Sequence, residues 1–369
     1  MDKNVYALQN TGDLISPSLV YYKDIILSNT KRVIEMAGGA ERLWPHVKSH
    51  KTADMIRMQI ELGITRFKCA TVAEAEMVTE AGGSFIILAY PLIGPNVSRY
   101  LSLIKANPKT VFYAIGDNFD FLSILAKEAD KMSMSINVLI DVDMGMHRTG
   151  VSFDLLQSLY ERSAALKGLT VKGMHCYDGH CKDPDLNSRK SMAEENDRKV
   201  LQIRESLKGK GLECDILVMG GSPSFPCRTG KSDFYLSPGT IFIGDWNYYS
   251  SYPDLVFTPG AALFTRVVSH QPGHTFTLDL GSKGIATDPK GVRGVIAGLS
   301  EAEPMFQSEE HWVFSLPENM ALPPIGSEWY VIPTHICPTS ALYPEIQVAE
   351  DGKITGKWQV NARNRRITY

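Results

Sequence analysis

The segment Trp44-Pro45-His46-Val47-Lys48-Ser49-His50-Lys51-Thr52 sets a lysine among histidines where an apolar run gives way to a helical pattern. A lysine at the end of a barrel strand enters a mouth of low dielectric, which lowers its pKa and makes the amine nucleophilic toward an aldehyde cofactor. By itself the segment reads more simply as a surface lysine beside incidental histidines. A second segment, Gly220-Gly221-Ser222-Pro223-Ser224, directly follows an apolar run. Consecutive N–H groups in such a turn form an anion nest, and the serine hydroxyls add donors, so the turn suits a cofactor phosphate as well as an ordinary tight bend. It is not G-x-x-x-x-G-K-[ST], and no G-x-G-x-x-G occurs, which argues against nucleoside triphosphates and dinucleotides.

A third group is His335-x-Cys337. On an extended chain the two side chains share a face, and imidazole plus thiolate suits zinc, with two coordination positions left for water and substrate. Alone, H-x-C is a common chance pair. The richer run His175-Cys176-Tyr177-Asp178-Gly179-His180-Cys181 is a weaker metal candidate, because His175 and Cys176 face opposite ways on a strand. Tyr177 and His180, just past that strand, are better placed as catalytic groups. Arg148, in Asp141-Val142-Asp143-Met144-Gly145-Met146-His147-Arg148, suits a cofactor ring, a phosphate or a carboxylate, or else an ion pair with Asp141 or Asp143 that shapes the loop. Tyr235, at the last strand end, is a further candidate for cofactor contact.

These residues need elements to hold them. Short apolar runs bounded by Gly, Pro or Asn predict strands at 42–48, 66–69, 85–90, 110–115, 136–142, 170–176, 216–219 and 234–243. Helical periodicity predicts helices at 52–62, 73–81, 97–106, 117–132, 153–166 and 186–207, with Thr52 and Ser152 as N-caps and Gly63, Gly82 and Gly168 as C-terminal glycines. Eight strands with helices between them predict an α/β fold, a (β/α)₈ TIM barrel with its site at the C-terminal ends of the strands; an open doubly wound sheet is the alternative. Beyond 250 the pattern changes to short β-branched and aromatic runs, which predicts a β-rich domain over 251–369, joined by 1–14, beside a barrel over 15–250.

The 369 residues are 44% hydrophobic, enough for one large core and a smaller one. Thirty-eight Lys and Arg against 41 Asp and Glu give a net charge of -3, which gives no reason to expect a nucleic-acid partner. No apolar run approaches the ~20 residues of a membrane span. The first residues carry no secretory pattern and six scattered cysteines suggest no disulfide framework, so a cytoplasmic protein is expected.

Taken in order, Pro45-His46-Val47-Lys48-Ser49-His50-Lys51, Arg148-Thr149-Gly150-Val151, Tyr177 with Gly179, Gly220 to Ser224, Pro238-Gly239, Asp279 with Gly281-Ser282-Lys283, Ser308-Glu309-Glu310-His311 and His335-x-Cys337-Pro338-Thr339 resemble one family. It is the D-threonine aldolase and D-serine dehydratase branch of the alanine-racemase-like (fold-type III) pyridoxal 5′-phosphate (PLP) enzymes. The resemblance spans nearly the whole chain. It implies a PLP barrel, a C-terminal β domain and a homodimer. It also implies Lys48 as Schiff-base lysine, Gly220, Gly221, Ser222 and Ser224 at the phosphate, Tyr177 in the active site, and a divalent metal on His335 and Cys337, zinc first, with manganese or magnesium as alternatives. The substrate implied is a 3-hydroxy-D-amino acid. Retro-aldol cleavage to glycine and an aldehyde is the expected reaction, and dehydration with loss of ammonia is the alternative favoured by cysteine rather than aspartate at 337. A racemase and a non-catalytic PLP carrier come behind both.

Overall fold

The computed structural model describes residues 1–365 and 368–369, and residues 366 and 367 of the expected β domain lie outside the described residues. The chain forms two compact units, one of residues 1–32, 49–52 and 240–363, the other of residues 33–48, 53–239 and 364–369. These limits differ from the expected ones at 14/15 and 250/251. The physical reason is β1 (Ser18–Tyr22), which pairs with β-domain strands on both of its edges. It runs into α1 (Lys23–Ala37), an addition to the expected helices.

The second unit holds a seven-stranded, wholly parallel sheet in sequence order. After α2 (Ala53–Glu61) come β2 (Arg66–Cys69), α3 (Val72–Glu80), β3 (Phe85–Leu88), α4 (Asn96–Ala106), β4 (Val111–Gly116) and α5 (Phe119–Lys131). They are followed by β5 (Ile136–Asp141), α6 (Phe153–Ala164), β6 (Leu169–Cys176), α7 (Leu186–Gly209), β7 (Ile216–Met219) and β8 (Tyr235–Leu236). The expected strand at 42–48 is absent as a strand. Pro45 has no N–H to give a ladder and 3₁₀ turns flank it, so only single parallel bridges form, Leu43 to Leu236 and His46 to Lys68. Even so, that segment occupies the place between β8 and β2: the Trp44 amide donates to Leu236 O at 2.8 Å and the Lys68 amide to Pro45 O at 2.8 Å. The last expected strand, 234–243, shrinks to two residues before Pro238.

Inside the sheet's curl, Trp44, Ile87, Tyr113, Ile115, Leu139 and Val218 fill the core, with Tyr235 packed against them. Gly63, Gly82 and Gly168 adopt the positive φ expected past helix ends. Ser152 sits at the N-cap of α6 without a side-chain cap bond, and the Thr52 hydroxyl is buried without a partner, so neither expected cap works through its oxygen.

In the other unit, α8 (Trp246–Ser251) leads to β9 (Ala261–Gln271), β10 (Thr275–Leu278), β11 (Gly294–Ile296), β12 (Glu303–Gln307), β13 (Trp312–Ser315) and β14 (Glu328–Pro333). Then follow α9 (Ile336–Leu342), β15 (Glu345–Glu350) and β16 (Lys353–Gln359). With β1 these strands make a nine-stranded sheet whose main path is β12-β13-β10-β9-β1-β15-β16. Among the described residues no helix is long and apolar enough to cross a membrane.

Candidate active site

Tyr177, the first residue after β6, is the centre of the barrel unit's site. Three cations lie around its ring: Lys48 Nζ at 5.6 Å from the centroid, Lys68 Nζ at 5.5 Å and Arg148 Cζ at 5.2 Å. Its two glycine neighbours leave the ring its place, since a Cβ on Gly179 would stand 2.3 Å from the Tyr177 hydroxyl and one on Gly221 would stand 2.9 Å from the ring.

The turn after β7 is braced from below by a buried ion network. Ser224 Oγ donates to Asp178 at 2.6 Å, and the Gly221 amide donates to Ser224 Oγ at 3.2 Å. Arg228, 1% exposed, donates to Asp178 at 2.7 Å and to Asp197 at 2.8 Å, and Lys231 joins Asp197 at 3.0 Å. Ser222 Oγ accepts the Gly239 amide at 3.1 Å. Both hydroxyls of the turn are therefore engaged by the protein. The amides of Ser222 and Ser224 find no acceptor among the described residues, which is the arrangement an anion nest requires.

Arg148 comes from a loop tied to itself. Asp143 accepts the amides of Gly145 and His147 at 2.9 and 3.0 Å and pairs with the His147 ring at 2.7 Å. The neck closes through mutual bonds of Asp143 and Val151 with their partners, Asp143 N to Val151 O at 3.0 Å and Val151 N to Asp141 O at 2.9 Å. The loop is thus shaped by Asp143, as considered from sequence, but through amides and His147 rather than through Arg148. Asp141 instead holds His175, Oδ1 to Nδ1 at 2.7 Å, and His175 Nε2 stands 3.5 Å from Lys68 Nζ. Burial pulls the His175 pKa below its usual value despite Asp141. Burial, with the charge of Lys48 next, also brings Lys68 down to about 7.

His180 keeps its Nδ1 buried without a hydrogen-bond partner, and its Nε2 lies 3.0 Å from where a Cβ on Gly145 would be. Tyr235 is placed elsewhere than expected. Its ring meets Trp44 edge-on at 5.4 Å and lies under Arg66 at 5.4 Å, inside the barrel core, because its strand position points inward. Lys68 went unseen in the sequence; its only signal was a lysine within an apolar strand.

In the β-domain unit, His335 and Cys337 do meet, although not on an extended chain. His335 is the N-cap residue of α9 and Cys337 lies in its first turn. His335 Nδ1 bonds to Asp288 at 2.6 Å, and Cys337 Sγ contacts Ser49 Oγ at 3.1 Å and Thr240 Oγ1 at 3.4 Å. Burial opposes both charges. The His335 hydrogen bond and charge nevertheless draw the thiol below its ordinary value, and Cys337 and Asp288 raise the imidazole to about 9. A carboxylate on one imidazole nitrogen, with a cysteine sulfur beside the ring, is a donor set that fits a soft divalent metal. Among the described residues no cluster of three or more His, Cys, Asp or Glu side chains that could hold a metal ion forms. No disulfide joins any of the six cysteines.

Residues 23–245 match the family model described as the alanine racemase N-terminal domain, and residues 260–349 match a putative serine dehydratase domain. The chain therefore belongs to the alanine-racemase-like family, the fold-type III class of PLP enzymes. Within that class it falls in the branch of D-threonine aldolase and the hydroxyaspartate lyases. It is 26% identical over 328 residues to a D-threonine aldolase of Arthrobacter, covering 87% of this chain and 85% of that one. It is 22% identical to a D-threo-3-hydroxyaspartate dehydratase of Delftia, covering 92% and 96%. A crystal structure of D-threonine aldolase from Filomicrobium marinum superposes with a TM-score of 0.88 over the whole of both chains at 24% identity.

Proposed function

We propose that this protein is a lyase acting on 3-hydroxy-D-amino acids, with PLP carried on Lys48 and a divalent metal, zinc first, held by His335 and Cys337. The observation that supports it most is the ring of Lys48, Lys68 and Arg148 around Tyr177, a concentration of positive charge that suits an anionic aromatic cofactor. When bound, PLP supplies an electron sink at the substrate's Cα and the metal a Lewis acid at its hydroxyl.

The chain's own residues divide the remaining work. The amides of Ser222 and Ser224 would hold the cofactor phosphate, Tyr177 would form the platform and Arg148 would balance negative charge. For the aldolase reading, His180 takes the hydroxyl proton of the substrate. Its buried, unpartnered Nδ1 fits an imidazole whose second partner arrives with the ligand. Cleavage then gives glycine and an aldehyde. Cys337 in place of a carboxylate favours a second reading, dehydration, in which the Lys48 amine takes the α-proton. Incubation with D-threonine separates them: acetaldehyde and glycine are expected, whereas 2-oxobutyrate and ammonia would establish the dehydratase. We further propose a cytoplasmic homodimer, which sedimentation of the purified protein checks.

A further inference from the structure

Cys337 has two hydroxyl neighbours, and the residue before each of them lies at the candidate cofactor site. Ser49 Oγ, fully buried, stands 3.1 Å from the sulfur, and the buried Thr240 Oγ1 stands 3.4 Å from it. Ser49 closes the 3₁₀ turn that contains Lys48. Thr240 follows Gly239, whose amide donates to Ser222 in the turn after β7. At both of these steps, 48/49 and 239/240, the chain passes from the barrel unit into the other unit. Just before them the two segments are bonded side by side. The Trp44 amide donates to Leu236 O at 2.8 Å, the His46 amide to Pro238 O at 2.9 Å, and the Ser237 hydroxyl to Trp44 O at 2.7 Å. Two paired segments of the barrel unit thus each continue into a hydroxyl residue, and both hydroxyls meet one sulfur.

A thiol has one hydrogen and donates to one hydroxyl at a time. A sulfur that ligates a metal has released that hydrogen to solvent and only accepts, so both hydroxyls can turn their O–H toward it. Hydrogen bonds to a charged acceptor are roughly twice as strong as neutral ones. Metal on Cys337 therefore tightens the hold on Ser49 and Thr240, and through one peptide bond each it steadies Lys48 and Gly239. We propose that Ser49 and Thr240 are positioning residues that couple the two centres: a metal on Cys337 tightens the binding of PLP, and PLP tightens the binding of the metal by the same factor. This rests on the reading of Lys48 as the cofactor lysine and of His335 and Cys337 as the metal pair.

The test uses the full-length protein stripped of metal and cofactor, with Zn²⁺ and PLP as probes. PLP affinity is read from visible absorbance with and without saturating Zn²⁺, and Zn²⁺ affinity from competition with a chelator with and without PLP. Both are expected to rise by one common factor of about 5 or more. In Cys337→Ala, Zn²⁺ is expected to leave PLP affinity unmoved. Ser49→Ala combined with Thr240→Val is expected to bring the factor close to one while each ligand still binds, and Thr240→Ser alone, which keeps a hydroxyl, to preserve it. A purely structural role would weaken both ligands and leave the factor as it was. A factor of one in the unaltered protein overturns the proposal without any variant having to fold, and so does a factor that survives in Cys337→Ala or in the double variant. Amide hydrogen exchange at Lys48 and Gly239 gives a reading independent of PLP, and Zn²⁺ is expected to slow it in the unaltered protein but not in the double variant. If no form captures PLP while Zn²⁺ slows that exchange, the cofactor reading fails and the coupling of Cys337 to these two residues stands. Exchange that Zn²⁺ leaves unchanged overturns the proposal.

Discussion

The two candidate centres are built in opposite ways. The barrel centre is crowded, with three cations on one ring and the Gly220 to Ser224 turn underpinned by Asp178, Arg228, Asp197 and Lys231. The β-domain centre is lean, with one imidazole, one thiolate and one orienting carboxylate. Crowding spreads a task over many groups, so only the group that forms a covalent bond is irreplaceable. Leanness gives each ligand a large share of the whole.

The largest effect that separates them is expected from Lys48→Ala, which abolishes turnover and the visible absorbance band of the added cofactor while metal uptake at His335 and Cys337 persists. Equal loss of both would break the contrast. Next comes the bracing network. Arg228→Met leaves buried Asp178 with only the Ser224 hydroxyl and buried Asp197 with only Lys231, and is expected to cost about 3–5 kcal/mol in urea unfolding. In the lean centre, Asp288→Asn frees the His335 ring and is expected to weaken metal binding by about 10–100-fold in a competition with a chelator, with little change in PLP affinity at saturating Zn²⁺.

The effect smallest at neutral pH is a pH dependence, which grows only in acid. Burial depresses the His50 pKa to about 3. The folded state thus refuses a proton that the unfolded state takes below about 6.5. Stability from this group is full above that value and falls as the pH drops toward about 3. His50→Asn is expected to flatten this acid limb in thermal melts recorded across that range.

How much of this was legible in the sequence depended on where each residue's partners lie. Lys48, Tyr177, Arg148 and the Gly220 turn stand at the ends of apolar runs, and a residue of unusual type there is visible in one dimension. Lys68 has the same location, but its meaning comes from His175 and Asp141 on other strands, and only the closing of the sheet brings them near. Tyr235 was misplaced because a two-residue strand before Pro238 carries too little alternation to say which way it points. The first expected strand dissolved at Pro45, yet its hydrogen bonds still lie where a strand's would. His335 and Cys337 lie together, but at the start of a helix rather than on the expected extended chain. Pro338 reads as punctuation of a strand, whereas in the first turn of α9, where its missing N–H costs nothing, it starts a helix.

The loop that carries Arg148 has a kinetic consequence. Since Asp143 fastens it at both amides and at His147, and Val151 closes its neck, the loop is ordered before any ligand arrives. The entropy of fixing that guanidinium is spent when the chain folds, and association need not wait for a search among loop conformers. An anionic ligand is therefore expected to dock in a single kinetic phase, and severing the knot with Asp143→Ala should add a second, slower one.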